Sequence, residues 1–531
     1  MHFIKLNFLI IFFSIYFIIG SLNSLKTGIS FDEYHEQNNW DYHLRLINNY
    51  INHYIFGHEF NYDIQDEYIV FFGYGIGFQL ISQPIQFLLK NILILSETNL
   101  DSFGAQLVSK HFVVFFFYII SAIFFYLILK KIITDKSFCI IATIFYCTYP
   151  YLFGQAMFSP KDVPFMSVWV ICTYLSFNVF EKLLIYKKIT FSKVILFSFL
   201  TAYLLSIRIA GILIFVQYFI SFLLLISLPT INLNKILKAY YLNFLTFIFS
   251  LIFFTYIFYP PFWNNPFLLF EAIKVMSNHY NNVGTNTLGE IMYATDLPST
   301  YLLIWFLVKL PALVILGIIL LPFTEKKIFT NNKNIVLFGS LLISIFLIPF
   351  ILIFLRTNLY DEIRQVMFLV PLIIIVALIS FFTFSKFFFY TLAIFSICFF
   401  TIESVRINPY QYVWFNLPSR VIDLTKNFEL EYQGISGREI AKKISNYEKV
   451  DQCILVNPIH TVRPYLAKTN YKCFDIWQKI DTEFSRPFLA VQHVRNLKKG
   501  LPYKCNVIDE TSFNLFFHKE KFITSKLLSC E

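Results

Sequence analysis

Long apolar runs separated by short polar connections set the pattern of this chain. Mostly apolar stretches occupy 6–22, 109–129, 138–154, 164–180, 193–207, 209–228, 239–258, 301–322, 335–355, 365–383 and 387–402. About 20 such residues cross the hydrocarbon of a bilayer as a helix. The pattern therefore predicts an α-helical polytopic membrane protein of about eleven spans. Residues 6–22, with Lys5 before them, read as a retained span. A cleaved leader ending near Ser21 or Ser24 is the competing reading. The stretch 193–228 is too long for one crossing and carries Arg208 in its middle. A charge at bilayer centre costs about 2.5–3.5 kcal/mol on insertion scales. Two helices turning at Arg208, Ile209, Ala210 and Gly211 would move that charge to a membrane face. Residues 69–95 are tempting as a span, but Gln79, Gln83, Pro84, Gln86 and Lys90 interrupt them. They read as helices lying in or dipping into the interface.

The polar connections then sort by charge. Lys130, Lys131 and Lys136 share one, and Lys182, Lys187, Lys188 and Lys193 another. Lys235 with Lys238, then Lys326, Lys327 and Lys333, and finally Lys386 complete the series. If these are cytoplasmic, as the positive-inside rule asks, the alternate connections face the other way. Those are 23–108, 155–163, the break at Arg208, 259–300 and 356–364. The expected plan is a transmembrane domain over 1–402, whose first extracytoplasmic loop, 23–108, holds interfacial helices. The N-terminus is then cytoplasmic. Beyond 403 the apolar stretches shorten to strand length, as at 453–456 and 487–491, with an amphipathic helix over 437–444 between them. A small extracytoplasmic α/β domain over 403–531 is expected.

Composition narrows the function. Of 531 residues, 57% are hydrophobic and 14% charged, with mean hydropathy +0.61; soluble domains carry about 25% charged residues. The net charge of +10 falls in the basic connections without a basic–aromatic patch, so nucleic acid is not a partner. No Walker A sequence occurs, which argues against an ATP-driven pump. Gly73, Gly75 and Gly77 lack the strand, helix and lysine of a nucleotide loop and read as a close-packing or bend element. His35, His53, His58 and His111 have no metal-ligand spacing and read as surface histidines; no metal or other cofactor is called for. Four of eight cysteines lie in apolar runs. Cys453, Cys473, Cys505 and Cys530 lie in the tail, where one or two disulfides could form in a pairing the spacing does not reveal.

On this topology the extracytoplasmic face collects Asp32 and Glu33 from the first loop, and Lys161 and Asp162 from a loop stiffened by Pro160 and Pro164. It also collects Arg208, and Arg356 and Arg364 on either side of Asp361 and Glu362. A carboxylate can take the proton of a hydroxyl, and Arg or Lys can hold a phosphate. Together they suit attack on a sugar carried by a lipid phosphate. Asp32, Glu33 and Asp162 are the catalytic candidates, and Lys161, Arg208, Arg356 and Arg364 the phosphate-binding candidates. Blander readings stand beside these. Lys161 and Asp162 could form a local ion pair, Arg364 could sit at headgroup level, and Lys309 could snorkel outward.

Four stretches resemble motifs of the GT-C superfamily of membrane glycosyltransferases, in the group of protein O-mannosyltransferases and lipid A aminoarabinose transferases. They are Phe31-Asp32-Glu33, the segment 158–165 (FSPKDVPF), the segment 360–371 (YDEIRQVMFLVP) and the segment 408–416 (NPYQYVWFN). Glu362 stands where a Gly is expected, Gln365 and Asn408 where His is expected, and Gln433 where a Trp is expected. The resemblance implies an inverting transferase in a bacterial inner membrane. It would take sugar from a polyprenyl-phosphate carrier on the extracytoplasmic leaflet, for a glycan, lipid or protein acceptor. Asp32 would be the base or the carboxylate that orients the acceptor. A transporter or flippase of a lipid-linked sugar, or a scaffold protein, are the alternatives. The former would show paired broken helices in matching halves, and no such symmetry is visible.

Overall fold

The computed structural model describes residues 2–60, 73–96, 99–278, 283–323, 327–447, 453–467, 469, 472–475, 488–495 and 503–530. Among the described residues, helix α1 (His2–Ser24) leads to α2 (Phe31–Phe56) and α3 (Gly77–Ser96). The bundle continues with α4 (Ser102–Ile132), α5 (Lys136–Thr148), α6 (Pro150–Gln155), α7 (Asp162–Leu184), α8 (Phe191–Ile207), α9 (Ile214–Ile226), α10 (Leu233–Phe258) and α11 (Leu268–Asn278). A hairpin of β1 (Gly284–Thr287) and β2 (Glu290–Tyr293) precedes α12 (Tyr301–Lys309), α13 (Ala312–Ile319), α14 (Asn332–Phe354), α15 (Val370–Phe384) and α16 (Lys386–Arg406). Among the described residues, eight helices are long and apolar enough to cross a membrane, and three shorter apolar ones accompany them. The protein is a polytopic helical membrane protein.

Each predicted apolar run is helical, but 138–154 and 301–322 are each divided into two shorter helices. Arg208 is the cap residue after α8, with extended backbone, and a 3-10 turn over Ile209–Leu213 starts the next helix, as the buried charge required. Pro311 divides the run 301–322 into α12 and α13 because it lacks the N–H a continuous helix needs. Helix α3 is the exception to composition. It passes for a span by length and apolarity, yet its two ends return to the same end of the bundle. Gly75 N donates to Ser206 O at the end of α8, whereas Leu93 packs with Leu100, Ile440 and Val462. Its glutamines 79 and 86 are buried while Leu80, Phe87, Leu88 and Leu95 are exposed. This division into a polar buried face and an apolar exposed one fits a helix lying along an interface. Gly75 and Gly77 are what let the chain pass: a Cβ at Gly75 would meet Ser206 backbone, and one at Gly77 the Ser206 side chain.

The connections gather at two opposite ends. Glu181 pairs with Lys131 and, at 2.9 Å, with Lys333, joining three of the lysine-bearing connections; Lys326 lies outside the described residues. At the other end sit Asp32, Asp162, Arg208 and the tail.

The tail carries α17 (Gly437–Ser445) and a five-stranded sheet of β3 (Cys453–Asn457), β4 (Lys472–Asp475), β5 (Phe488–His493), β6 (Cys505–Phe513) and β7 (Phe522–Cys530), ordered β4-β3-β5-β7-β6. β3 lies parallel to β4 and β5, and β7 antiparallel to β5 and β6. Of the tail cysteines, Cys505 and Cys530 form a disulfide between β6 and β7. Ile440, Ala441 and Ile444 of α17 are buried, as their spacing predicts. The tail grips the chain just before α2. Phe31 N donates to Gln433 O at 2.7 Å, Ile29 N to Tyr465 Oη at 3.0 Å, and Arg438 to Leu25 O at 2.8 Å. Gly28 lies so close to the Ile435 carbonyl that no side chain fits there.

Candidate active site

Helix α2 begins after Ser30, whose backbone N–H is capped by the Glu33 carboxylate. Glu33 accepts from Ser30 N at 2.7 Å and pairs with His111 Nε2 at 2.9 Å, and both side chains are fully buried. Glu33 thus faces into the helix packing. His111, expected at the surface, is interior because its other nitrogen donates to Ser24 O at 2.9 Å. Asp32, the residue before Glu33, points about 100° away from it on the helix and keeps 28% of its side chain exposed.

Arg364 organises what Asp32 faces. Its Nη1 lies 2.5 Å from Asp32, its Nε 3.5 Å from Asp162 and its Nη2 3.4 Å from Asp361. It is buried to 4% exposure, so it does not sit at headgroup level. Arg208 pairs with Asp162 and donates to Gln365 Oε1 at 2.5 Å. Lys161 pairs not with Asp162 but with Glu36, at 2.5 Å, and lies 3.8 Å from the Tyr74 ring centroid. Three segments distant in sequence therefore meet on Arg364, and Arg208 and Tyr74 join them through Asp162 and Lys161. Arg356 is not among them: it is exposed beyond the end of α14, and among the described residues no carboxylate pairs with it.

The Asp361 loop is held in an uncommon shape. Asp361 and Glu362 have φ of +54° and +65°, a left-handed region that costs a side-chain-bearing residue about 1–3 kcal/mol. Glycine, the residue the resemblance expects at 362, takes it without strain. Here Glu362 is fixed by Lys309 at 3.0 Å, both side chains fully buried. Lys309 therefore does not snorkel. Asp361 N donates to Thr285 Oγ1 at 2.9 Å, and Arg495, just beyond β5, lies 3.0 Å from its carboxylate.

The other departures from the motif also find roles. Gln433 Nε2 donates to Asp32 at 3.4 Å, and Asn408 accepts from Gln411 at 2.9 Å. The segment 408–416 threads the end of the bundle. Tyr412 donates to Glu431 at 3.0 Å, and Asn416 donates to Leu310 O at 2.8 Å. A Cβ at Gly154 would meet the Tyr412 backbone.

A cavity of about 590 Å³ opens between the bundle end and the tail, lined by Asp32, Tyr360, Asp361, Arg364, Glu431 and Arg495 among others. Burial alone would raise the Asp32 carboxyl, but Arg364 and then Lys161 draw it down to about 2. Burial raises Glu431 to about 7 and Glu362 to about 8. Asp32 is therefore an ionised carboxylate in a cavity that also holds Glu431, whose carboxyl keeps its proton to higher pH. Among the described residues no three His, Cys, Asp or Glu side chains are grouped to hold a metal.

Sequence reasoning did not anticipate Arg495, Glu36 or the β1–β2 hairpin that props the Asp361 loop. The hairpin had a signal: Leu288 and Gly289 form its two-residue turn, both with positive φ. Arg495 had none, because only the tail's fold brings it to Asp361.

The chain matches no known protein family, and no curated protein matches it. Solved structures similar to this chain include two crystal structures of ArnT from Cupriavidus metallidurans, one bound to undecaprenyl phosphate and one in the apo state. Each is 10% identical, over 84% of this chain and 87% of that chain, with TM-scores of 0.43 and 0.40.

Proposed function

We propose that this protein is an inverting glycosyltransferase of the GT-C kind. It would move a sugar from a polyprenyl-phosphate carrier to a hydroxyl acceptor at the extracytoplasmic face. The observation that carries the reading is the Asp32 carboxylate, ionised and partly exposed at a cavity where the membrane bundle meets the tail. About 300–1,000 Å³ is the range of small-molecule sites, so the cavity is large enough for a sugar and a phosphate.

The step balances with the groups present. The acceptor oxygen attacks the anomeric carbon as the bond from that carbon to the phosphate oxygen breaks. The polyprenyl phosphate leaves with the electron pair, and the acceptor proton passes to Asp32. One displacement inverts the anomeric centre. Arg364 and Arg495 line the cavity and are the cations we assign to the departing phosphate. Lys161 and Arg208 act on the same place through Glu36 and Asp162. Asp162 holds Arg208 and Arg364 and shapes the site. A polyprenyl phosphate occupies one of the similar ArnT structures; for this chain the carrier is part of the proposal.

Purified protein offered a panel of polyprenyl-phosphate sugars should release polyprenyl phosphate together with an equal amount of glycosidic product. Vesicle flux of the lipid-linked sugar without new glycosidic bonds would establish a transporter instead.

A further inference from the structure

Beside Asp32, on the rim of the cavity, four rings from two segments more than 400 residues apart come together. Tyr34 stacks on His460 with centroids 4.8 Å apart and planes at 16°. Phe31 lies 5.7 Å from His460 and 5.0 Å from His35. Phe31 is 40% exposed and Tyr34 36% exposed, although a stacked aromatic cluster would ordinarily be covered. Phe31 also lines the cavity. The shelf is thus continuous with the site and open to whatever enters it.

The polar groups around the rings narrow the occupant. His460 Nε2 lies 3.1 Å from Phe31 O; a carbonyl only accepts, so Nε2 carries the hydrogen. Burial lowers His460 to about 4 and lowers His35 too, leaving both rings neutral at pH 7. Neutral His460 then presents Nδ1 as an acceptor, and among the described residues nothing donates to it. Asp32, Gln433 and Asn457 line the same cavity as Phe31. An acyl chain would want a continuous aliphatic groove without acceptors, and a phosphate would want cations. Flat uncharged rings interleaved with acceptors and an amide instead match a pyranose, which has an apolar C–H face and a rim of hydroxyls.

We infer that Phe31, Tyr34 and His460 form a shelf for one pyranose ring of the acceptor, so that the acceptor is a glycan. This rests on the transferase reading for the word acceptor, but not for the shelf. The full chain, purified in detergent without donor, is mixed with a panel of neutral hexose and N-acetylhexosamine di- to tetrasaccharides. Binding is followed by saturation-transfer NMR. At least one oligosaccharide should bind, with saturation strongest on the C–H protons of one ring. Tyr34→Ala and His460→Gln should each weaken it about ten-fold or more, while Tyr34→Phe, which keeps the ring, retains it. His460→Gln also keeps a donor for the Phe31 carbonyl, so its loss of binding reports the ring rather than the fold. No binding to the wild-type protein, or unchanged binding in a Tyr34→Ala/His460→Gln protein, overturns the shelf. Polyprenyl-phosphate release is read separately. Oligosaccharide binding without release from any donor keeps the shelf and removes the transferase. Release without oligosaccharide binding does the reverse.

Discussion

Two buried charge clusters sit where the membrane bundle meets the tail, and they are built differently. In the first, Arg420 pairs with Glu403 at 2.5 Å, both almost fully buried. Arg420 also donates to Phe415 O and Phe516 O, and Trp414 donates to Glu403 at 2.5 Å. Each charge is enclosed and its hydrogen bonds are met within the protein. In the second, Arg364 is divided among Asp32, Asp162 and Asp361, the first and last of these line a cavity, and the loop holding Asp361 and Glu362 is strained. A sealed pair fixes the tail on the bundle. A cluster with more carboxylates than its central cation can satisfy, left open on one side, keeps charge available for a substrate.

Substitutions should separate the two. Arg364→Met takes the paired cation from Asp32 and leaves Asp162 and Asp361 to Arg208 and Arg495 alone. It is expected to cost stability by about 3–5 kcal/mol and to abolish transfer in whatever protein remains folded, checked by thermal unfolding and by product formed per folded molecule. Arg420→Met should cost a similar amount of stability while leaving the rate per folded molecule within about two-fold. A Glu403→Leu/Arg420→Met protein should regain much of that loss, since an apolar replacement leaves no orphaned charge. If Arg420→Met instead lowers the rate of folded molecules, the sealed cluster is not merely structural.

The pH dependence sharpens the contrast further. Asp32, drawn to about 2 against the usual carboxylate range, contributes stability that is present above about pH 4 and lost as pH falls toward 2. Its ionisation should leave no acid limb in the rate between pH 5 and 8. Glu362, raised by burial to about 8, acts in the opposite sense. Its contribution is fully present below its unfolded value near 4.3 and declines as pH rises toward 8. Glu362→Gln should therefore flatten the fall of the melting temperature between pH 5 and 8. An identical slope in both proteins would mean Glu362 is ionised throughout. The smallest effect belongs to Arg356→Ala. An exposed arginine without a carboxylate partner should change stability by less than about 0.5 kcal/mol and transfer by less than two-fold. A large loss of donor binding would return Arg356 to the phosphate site.

Much of this architecture was readable in the chain because apolar length and lysine placement are one-dimensional signals. Arg208 forced its own break, and the segments 360–371 and 408–416 marked two pieces of the site. Partner choice was less accessible. Lys161 was paired in expectation with its neighbour Asp162, but the turn before α7 sends it to Glu36 on another helix. Glu33 looked equivalent to Asp32, yet successive helix positions point about 100° apart, so one side chain enters the packing and the other the cavity. Lys309 could have reached solvent by length alone. A buried glutamate in a strained loop, which no periodicity announces, keeps it inside. Arg495 required the tail's fold.

Asp32 is the residue on which the proposed reaction most depends. Asp32→Asn keeps the size of the side chain and an acceptor for Arg364 while removing the charge. In a single-turnover assay with purified protein and a polyprenyl-phosphate sugar accepted by the wild type, this variant should melt within a few degrees of it. It should transfer sugar about 10²–10⁴-fold more slowly. Transfer at the wild-type rate by folded Asp32→Asn protein would contradict the assignment of the open cluster as the catalytic one.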